Sequence, residues 1–308
     1  MKIIGLSLGQ DINYITHMEV NDNLQVTQVL TTFEPLLSYV IEGQTQFLVD
    51  ALKKIKGKTK NSRLFITYPS ILGHVNCYLE KNINHDLMER IQEGVCSRIT
   101  FDNKDNVYAD APMLAMQESG VYVTAIYLQK KYADVLMEAA LNAGFLFCEG
   151  EPEALSIARL IEFDVKKSSN IHYLLEIEAD SSMIVCYDPD RGMFSIPLLS
   201  FGWNKILNTE NGIKNLIQQL TLMDANVFNT FGLICHNADI FIVSKKSEEI
   251  LAELIKSNLA ERIRVLSLPD CLRSKIEPNI LKRYLSAVGL GLKSLAEKRN
   301  VDETNSGR

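Results

Sequence analysis

The same succession of elements is readable twice in this chain of 308 residues. Lys2–Leu8, Ile12–Val20 and Leu24–Phe33 are apolar, β-branched runs parted by short polar turns, of which Asn21-Asp22-Asn23 is the clearest. Such spacing predicts an antiparallel meander of three strands. Phe47, Leu48, Leu52 and Ile55 then fall on one helical stripe within Gln44–Ile55, and Arg63–Tyr68 is a compact strand stopped by Pro69-Ser70. The pattern returns at His172–Ile177, Ser182–Tyr187 and Met193–Leu199, with Asp188-Pro189-Asp190-Arg191-Gly192 as a strong turn. Helical sequence follows over Gly212–Met223, then a buried-type strand at Ala238–Val243. A meander followed by helices at 1–57 and again at 172–223 describes a duplicated α/β protein of two lobes, with a cleft between them where ligands commonly sit.

The sequence between the two copies has its own character. His74–Leu79 reads as a strand, His85–Val95 as a helix capped by Asn84, and Gly120–Leu128 as a β-rich run, while residues 100–120 are polar and show no clear element. Lys131–Ala143 is a helix closed by Gly144, Phe145–Cys148 a short strand, and Glu151–Ile161 a helix with Pro152 in its first turn. Beyond the second copy, Ser247–Ser257 reads as a helix, Arg262–Leu266 as a strand and Leu281–Ala296 as a long helix, followed by a polar, frayed tail.

Charge and composition remove several classes of function. Thirty-two Lys and Arg stand against 38 Asp and Glu, a net charge of −6, which disfavours non-specific nucleic-acid binding. No apolar run reaches the ~18 residues of a membrane helix, and Met1-Lys2-Ile3-Ile4-Gly5-Leu6 meets Gly9-Gln10-Asp11 too soon for a signal peptide. A cytoplasmic protein with no direct membrane span is expected. Six cysteines lie far apart, with no C-x-x-C pair, and read as buried structural thiols. The histidines at 17, 74, 85, 172 and 236 have no metal-ligand spacing, and no G-x-S-x-G marks a hydrolase nucleophile, so no metal site and no catalytic residue is expected. Trp203, after Phe201-Gly202, reads as packing. The one basic run, Lys53 to Lys60, carries Gly57-Lys58-Thr59 but has Leu52 where a phosphate-binding loop needs its first glycine. It reads as a solvated helix end, with attraction to an anionic lipid surface as the alternative.

Four stretches carry a resemblance. They are Lys2-Ile3-Ile4-Gly5-Leu6-Ser7-Leu8-Gly9, Arg63-Leu64-Phe65-Ile66-Thr67-Tyr68-Pro69, Ala143-Gly144-Phe145 through Glu151-Pro152-Glu153-Ala154-Leu155, and Tyr284-Leu285-Ser286-Ala287-Val288-Gly289-Leu290-Gly291-Leu292. Their order and spacing resemble the actin-like ATPase superfamily, and within it the type IV pilus assembly protein PilM family, over nearly the whole chain. The resemblance implies an FtsA-like, two-lobed actin-like (ribonuclease-H-like duplicated) α/β fold with an inserted α/β subdomain. Residues 1–70 with 151–168 would form the first lobe, 71–150 the insertion, 169–296 the second lobe and 297–308 a flexible tail.

Against that family the nucleotide loops depart. The first normally ends a strand in D-x-G, whose carboxylate helps hold hydrated magnesium; here Ser7-Leu8-Gly9 keeps the glycine and loses the acid, with Gln10 and Asp11 beyond the turn. The second, normally D-x-G and hydroxyl residues, aligns with Glu176-Ile177-Glu178-Ala179-Asp180-Ser181, so Glu178 stands where glycine admits phosphate. Two unit charges about 4 Å apart repel by roughly 4 kcal/mol at an effective dielectric of 20. Glu176, Glu178 and Asp180 holding a divalent ion is the alternative. The third loop should end in Gly-Gly and instead runs through Val243 into Ser244-Lys245-Lys246. With all three eroded, no cofactor is expected, ATP with magnesium being the alternative.

The resemblance implies a non-catalytic adaptor of type IV pilus or related secretion machinery. Its partner would be the cytoplasmic N-terminal segment of a PilN-like bitopic inner-membrane protein, with pilus motor ATPases as further partners, placing the chain peripheral to the inner membrane. The peptide groove would lie between the first lobe and the insertion, bordered by Tyr68-Pro69-Ser70 and Gly150-Glu151. Two other readings compete: a working actin-like ATPase of the same machinery, and an FtsA-like filament former. The second would carry an amphipathic membrane helix, for which Glu297-Lys298-Arg299-Asn300-Val301-Asp302 has almost no apolar face. A GspL-type secretion protein would be expected to continue into a membrane helix.

Overall fold

The computed structural model describes residues 1–69, 71–80, 107–117, 120–164, 171–188, 192–198, 201–231, 238–244, 247–257, 259–264, 271–281 and 284–306. In chain order the elements are β1 Lys2–Ser7, β2 Asn13–Val20, β3 Leu24–Thr32, α1 Leu36–Ile41, α2 Thr45–Lys56, β4 Ser62–Tyr68, β5 Gly73–Glu80, β6 Val107–Gln117, β7 Gly120–Gln129, α3 Lys130–Asn142, β8 Phe147–Pro152 and α4 Glu153–Asp164. They continue with β9 His172–Ile177, β10 Ser182–Asp188, β11 Gly192–Leu198, α5 Trp203–Asn208, α6 Gly212–Phe231, β12 Asp239–Ser244, α7 Ser247–Leu254, a 3₁₀ turn Ala260–Arg262, β13 Ile263–Arg264, β14 Leu272–Ser274, α8 Pro278–Leu281 and α9 Leu285–Ser306. The helix expected over His85–Val95 lies outside the described residues.

The chain divides into two compact units. The first comprises Met1–Leu72, Gln129–Lys166 and Leu266–Arg308. Its sheet has six strands in the order β14-β3-β2-β1-β4-β8. The meander β1-β2-β3 is antiparallel, and β4 and β8 add to β1 in parallel. Five of the six residues of β1 and six of the seven of β4 are buried, as expected of strands covered on both faces. Helix α9 packs on β1, β2, β4 and α4. Gly5 permits that approach, since a Cβ there would stand 2.2 Å from the carbonyl oxygen of Ala287. Thr16 Oγ1 donates to the same carbonyl at 3.3 Å, and Ser156 Oγ donates to that of Ser286 at 2.6 Å. Helices α2 and α3 pack together through buried stripes, Leu48, Val49, Leu52 and Ile55 on one and Tyr132, Ala133, Leu136 and Ala140 on the other. The ammonium of Lys56, at the end of α2, donates to the carbonyls of Ala143 and Gly144 and so caps the C-terminus of α3.

Three expectations change here. Residues 129–150 pack with the first unit and not with the inserted segment, because β8 pairs in parallel with β4. Glu151 and Pro152 close that strand, so the following helix begins at Glu153. The last helix continues through Ser306 where a frayed tail was expected from residue 297, and it packs with the first unit.

The second unit comprises Gly73–Leu128 and Lys167–Val265. Its larger sheet runs β11-β10-β9-β12-β13, with the second meander antiparallel and β12 added to β9 in parallel, as β4 is added to β1. Tyr173, Leu175, Ile177, Ile184, Cys186, Trp203, Leu216, Leu220, Met223 and Ile240 form one buried cluster, so Trp203 is a packing residue. The second sheet of this unit is β5-β7-β6. Tyr122 of β7 packs on the same cluster, and Thr124 Oγ1 accepts the Met193 N–H at 2.9 Å, tying the small sheet to β11. A bidentate Arg262–Asp224 pair at 3.1 Å fixes the 3₁₀ turn before β13 to α6, with Tyr173 donating to the same carboxylate at 2.6 Å.

Candidate functional site: two turns at the carboxyl ends of parallel strands

Ligands of open α/β sheets gather where parallel strands end. In the first unit those ends are in register: Ser7 of β1 lies opposite Thr67 of β4, and Thr67 opposite Glu151 of β8. All three are buried, as is Glu153 at the start of α4. Ser7 Oγ donates to Glu153 Oε1 at 3.3 Å. A carboxylate is therefore present beside the first turn, supplied by the return helix instead of the strand. Glu151 is paired with Arg159, one helical stretch further on, with side chains 3% and 15% exposed. Thr67 Oγ1 is buried without a hydrogen-bond partner among the described residues.

Two of the amides at this turn are already engaged. Leu8 N–H donates to the carbonyl of Thr67 at 2.9 Å, and Gly9 N–H donates to Asn13 Oδ1 at 3.1 Å. Asn13 is itself anchored by its Nδ2, which donates to the carbonyl of Glu34 at 2.8 Å. A phosphate cradle needs such N–H groups unclaimed and pointing outward. Gln10 is half-buried and Asp11 exposed beyond the turn.

In the second unit the corresponding turn follows β9. Glu178 N–H donates to the carbonyl of Ser181 at 2.9 Å, closing the turn on itself. The first amides of α5 occupy its outer side: Trp203 N–H donates to the carbonyl of Glu178 at 2.9 Å and Asn204 N–H to that of Ala179 at 3.1 Å. Asn204 Nδ2 adds a bond to Asp180 Oδ1 at 3.1 Å. Gly202 makes this contact possible, because a Cβ there would lie 2.3 Å from Ala179 O and 2.4 Å from Asp180 N. Glu176 and Glu178 are both buried beside the turn, which places two carboxyl groups where a polyanion would have to approach. Ser181 is half-buried in the turn and Ser244 ends β12, while Lys245 lies outside the described residues. No group of three or more His, Cys, Asp or Glu able to hold a metal ion occurs among the described residues.

Of the residues expected to border a peptide groove, Tyr68, Gly150 and Glu151 are brought side by side on β4 and β8, the Tyr68 ring lying 3.5 Å from the position of a Gly150 Cβ. Tyr68, Pro69 and Glu151 are buried and Gly150 is exposed; Ser70 lies outside the described residues. Sequence reasoning passed over Asn13, Arg159 and Asn204, and gave Thr67 and Gly202 no part in the site. Asn13, four residues past Gly9, was the one signal within reach, since Asn readily accepts local backbone N–H groups.

No sequence-family profile matches the chain, and no curated protein sequence matches it. Solved structures do. The chain superposes on a chain of the PilM–PilN type IV pilus biogenesis complex with a TM-score of 0.73, over 96% of this chain and 99% of that one, at 14% identity. The fold is actin-like. A second match is the cytoplasmic domain of EpsL, an inner membrane component of the type II secretion system of Vibrio cholerae, with a TM-score of 0.50, 94% of each chain covered and 9% identity. The actin-like fold accounts for the doubled meander and for the position of the two turns at equivalent strand ends. No helix among the described residues is long and apolar enough to cross a membrane.

Proposed function

We propose that this protein is a non-catalytic adaptor of type IV pilus or related secretion machinery. It captures the cytoplasmic N-terminal segment of a PilN-like inner-membrane protein and thereby sits peripheral to that membrane, between a membrane platform and cytoplasmic motor ATPases. The observation that carries the reading is the full-length match to the PilM–PilN structure. It is supported by the internal hydrogen bonding of the Gly9 and Glu178 amides, groups that a phosphate-binding turn keeps unclaimed. A short disordered segment suits such a role because it gives reach and reversibility at the cost of ordering entropy.

The test is calorimetric titration of the purified chain with ATP and magnesium, and with a peptide from the N-terminus of a PilN-like protein. Peptide binding without nucleotide binding is the expected result. Micromolar ATP binding would refute the adaptor reading in favour of a working ATPase. Failure of both ligands would remove the pilus assignment.

A further inference from the structure

From Asp50 to Glu80 the sequence has no intervening carboxylate and six cations, Lys53, Lys54, Lys56, Lys58, Lys60 and Arg63, in a chain whose net charge is −6. Two of them are internally committed: Lys54 to Glu34 at 2.7 Å, and Lys56 to the end of α3. Lys53, Lys58, Lys60 and Arg63 are exposed and make no ion pair among the described residues.

The backbone sets three of these four on one rim. Gly57 and Asn61, both at φ 54°, reverse the chain between α2 and β4 and leave Lys58 and Lys60 on the connecting turn. That turn opens β4 at the amino ends of the parallel strands. Lys2 of β1 is in register with Ser62, and Phe147 of β8 with Arg63, whose guanidinium lies 5.7 Å from the Phe147 ring centre. Leu146 N–H donates to the carbonyl of Ser62 at 3.1 Å, which holds its side chain at the same rim. Leu146 is 65% exposed and Phe147 45%. On the β2 side of this end stand Glu19, 4.0 Å from Lys2, and Asp22 in the following turn, and α9, whose Gly291 packs on Leu24, continues beyond that contact with Glu297, Asp302 and Glu303 in its sequence alongside Lys298 and Arg299.

We propose that this rim of the first unit lies on an anionic lipid bilayer. Lys58, Lys60 and Arg63 meet headgroup phosphates, and Leu146 and Phe147 enter the border of the hydrocarbon. Cations alone would suit any polyanion. A leucine left two-thirds exposed beside them, with an aromatic ring under the arginine, suits a surface that is charged outside and apolar just beneath. The surface is distinct from the strand ends that carry the Ser7 turn and does not depend on the peptide reading.

The experiment is vesicle co-sedimentation of the full chain with phosphatidylcholine alone and with phosphatidylcholine mixed with phosphatidylglycerol. The chain pellets with the anionic vesicles only, and is released as salt shortens the Debye length to about 3 Å. Each cation at a lipid surface is worth about fivefold in binding, so reversing two in Lys58→Glu with Lys60→Glu weakens it more than tenfold. Leu146→Asp weakens it several-fold at unchanged salt. Circular dichroism and Trp203 fluorescence verify that the variants, all at exposed positions, remain folded. Absence of binding to anionic vesicles overturns the proposal, as does a Lys58→Glu, Lys60→Glu variant that binds like the parent. A Leu146→Asp variant that binds like the parent overturns it too, because the cations alone would then account for the binding and no apolar side chain would enter the bilayer.

Discussion

Replacing Gly202 by alanine tests whether the second turn is sealed by its own helix. The backbone at Gly202, φ −104° and ψ −172°, is open to any residue, so the substitution introduces no conformational strain of its own. The added Cβ would instead meet main-chain atoms, Ala179 O at 2.3 Å and Asp180 N at 2.4 Å, neither of which can swing aside as a side chain can. The turn and the start of α5 must part, and the bonds from Trp203 N–H to Glu178 O and from Asn204 N–H to Ala179 O are lost or stretched. Two hydrogen bonds at about 0.5–1.5 kcal/mol each, with overpacking at about 1–3 kcal/mol, give a loss of roughly 2–6 kcal/mol. Trp203 is the sole tryptophan and is 8% exposed, so its fluorescence through a urea titration reports this unit directly. Gly43→Ala serves as a contrast: at φ 69° with nothing within 4 Å, it loses only left-handed freedom, about 1–2 kcal/mol, followed by circular dichroism. A Gly202→Ala loss below about 1 kcal/mol would refute the close-approach argument.

Arg159→Ala leaves the Glu151 carboxylate buried without its guanidinium, and is expected to cost about 3–5 kcal/mol in urea unfolding. Pairing it with Glu151→Gln should recover part of that loss, and a double-mutant cycle measures how much. Asn13→Ala removes the acceptor of Gly9 N–H and a donor to Glu34 O, with an expected cost of about 1–3 kcal/mol. It should confer no ATP binding by calorimetry, because Ser7 and Glu178 still depart from the phosphate-binding pattern. Burial lowers the pKa of both His17 and His172, the latter against the opposing pull of Asp239 and Asp188. The unfolded chain therefore binds protons first, so stability is lost as pH falls below about 6.5 and levels off below the folded pKa values. His17→Gln with His172→Gln should flatten the slope of the urea midpoint against pH over that window; a wild-type midpoint that rises on acidification would refute the sign.

The duplicated meander was legible because each strand is a short apolar run between polar turns, and period and punctuation are local properties. Elements that depend on a distant neighbour were not. The strand read at Phe145–Cys148 in fact runs Phe147–Pro152: Glu149-Gly150-Glu151-Pro152 are poor strand formers all, yet they continue it because β4 offers a parallel edge more than eighty residues earlier in the chain. Val107–Gln117 hides likewise behind Asp110 and Pro112 and is placed by β7. The helix past Ala296 shows the reverse case, polar sequence of adequate helix propensity continuing an element whose first half is anchored by Gly5, Gly289 and Gly291.

At the site, the substitutions themselves were visible in the sequence and their consequences were not. Ser7 for an acid and Glu178 for a glycine can be seen by inspection, but they say only what is missing. The contacts that the first turn makes span the unit: Ser7 is bonded to Glu153, 146 residues away, and Gly9 to Asn13, which is in turn held by the carbonyl of Glu34. In the second unit the helix start at Trp203 and Asn204 closes on a turn some 24 residues before it. A turn that waits for a ligand keeps its donors unclaimed and bears the desolvation cost only when the ligand arrives. Here the N–H groups of Leu8, Gly9 and Glu178 are bonded within the chain, so a phosphate approaching them would have to displace existing hydrogen bonds beside buried carboxyl groups. The two turns thus share a feature that the sequence alone does not show: an N–H group at each, that of Gly9 and that of Glu178, is bonded within the chain.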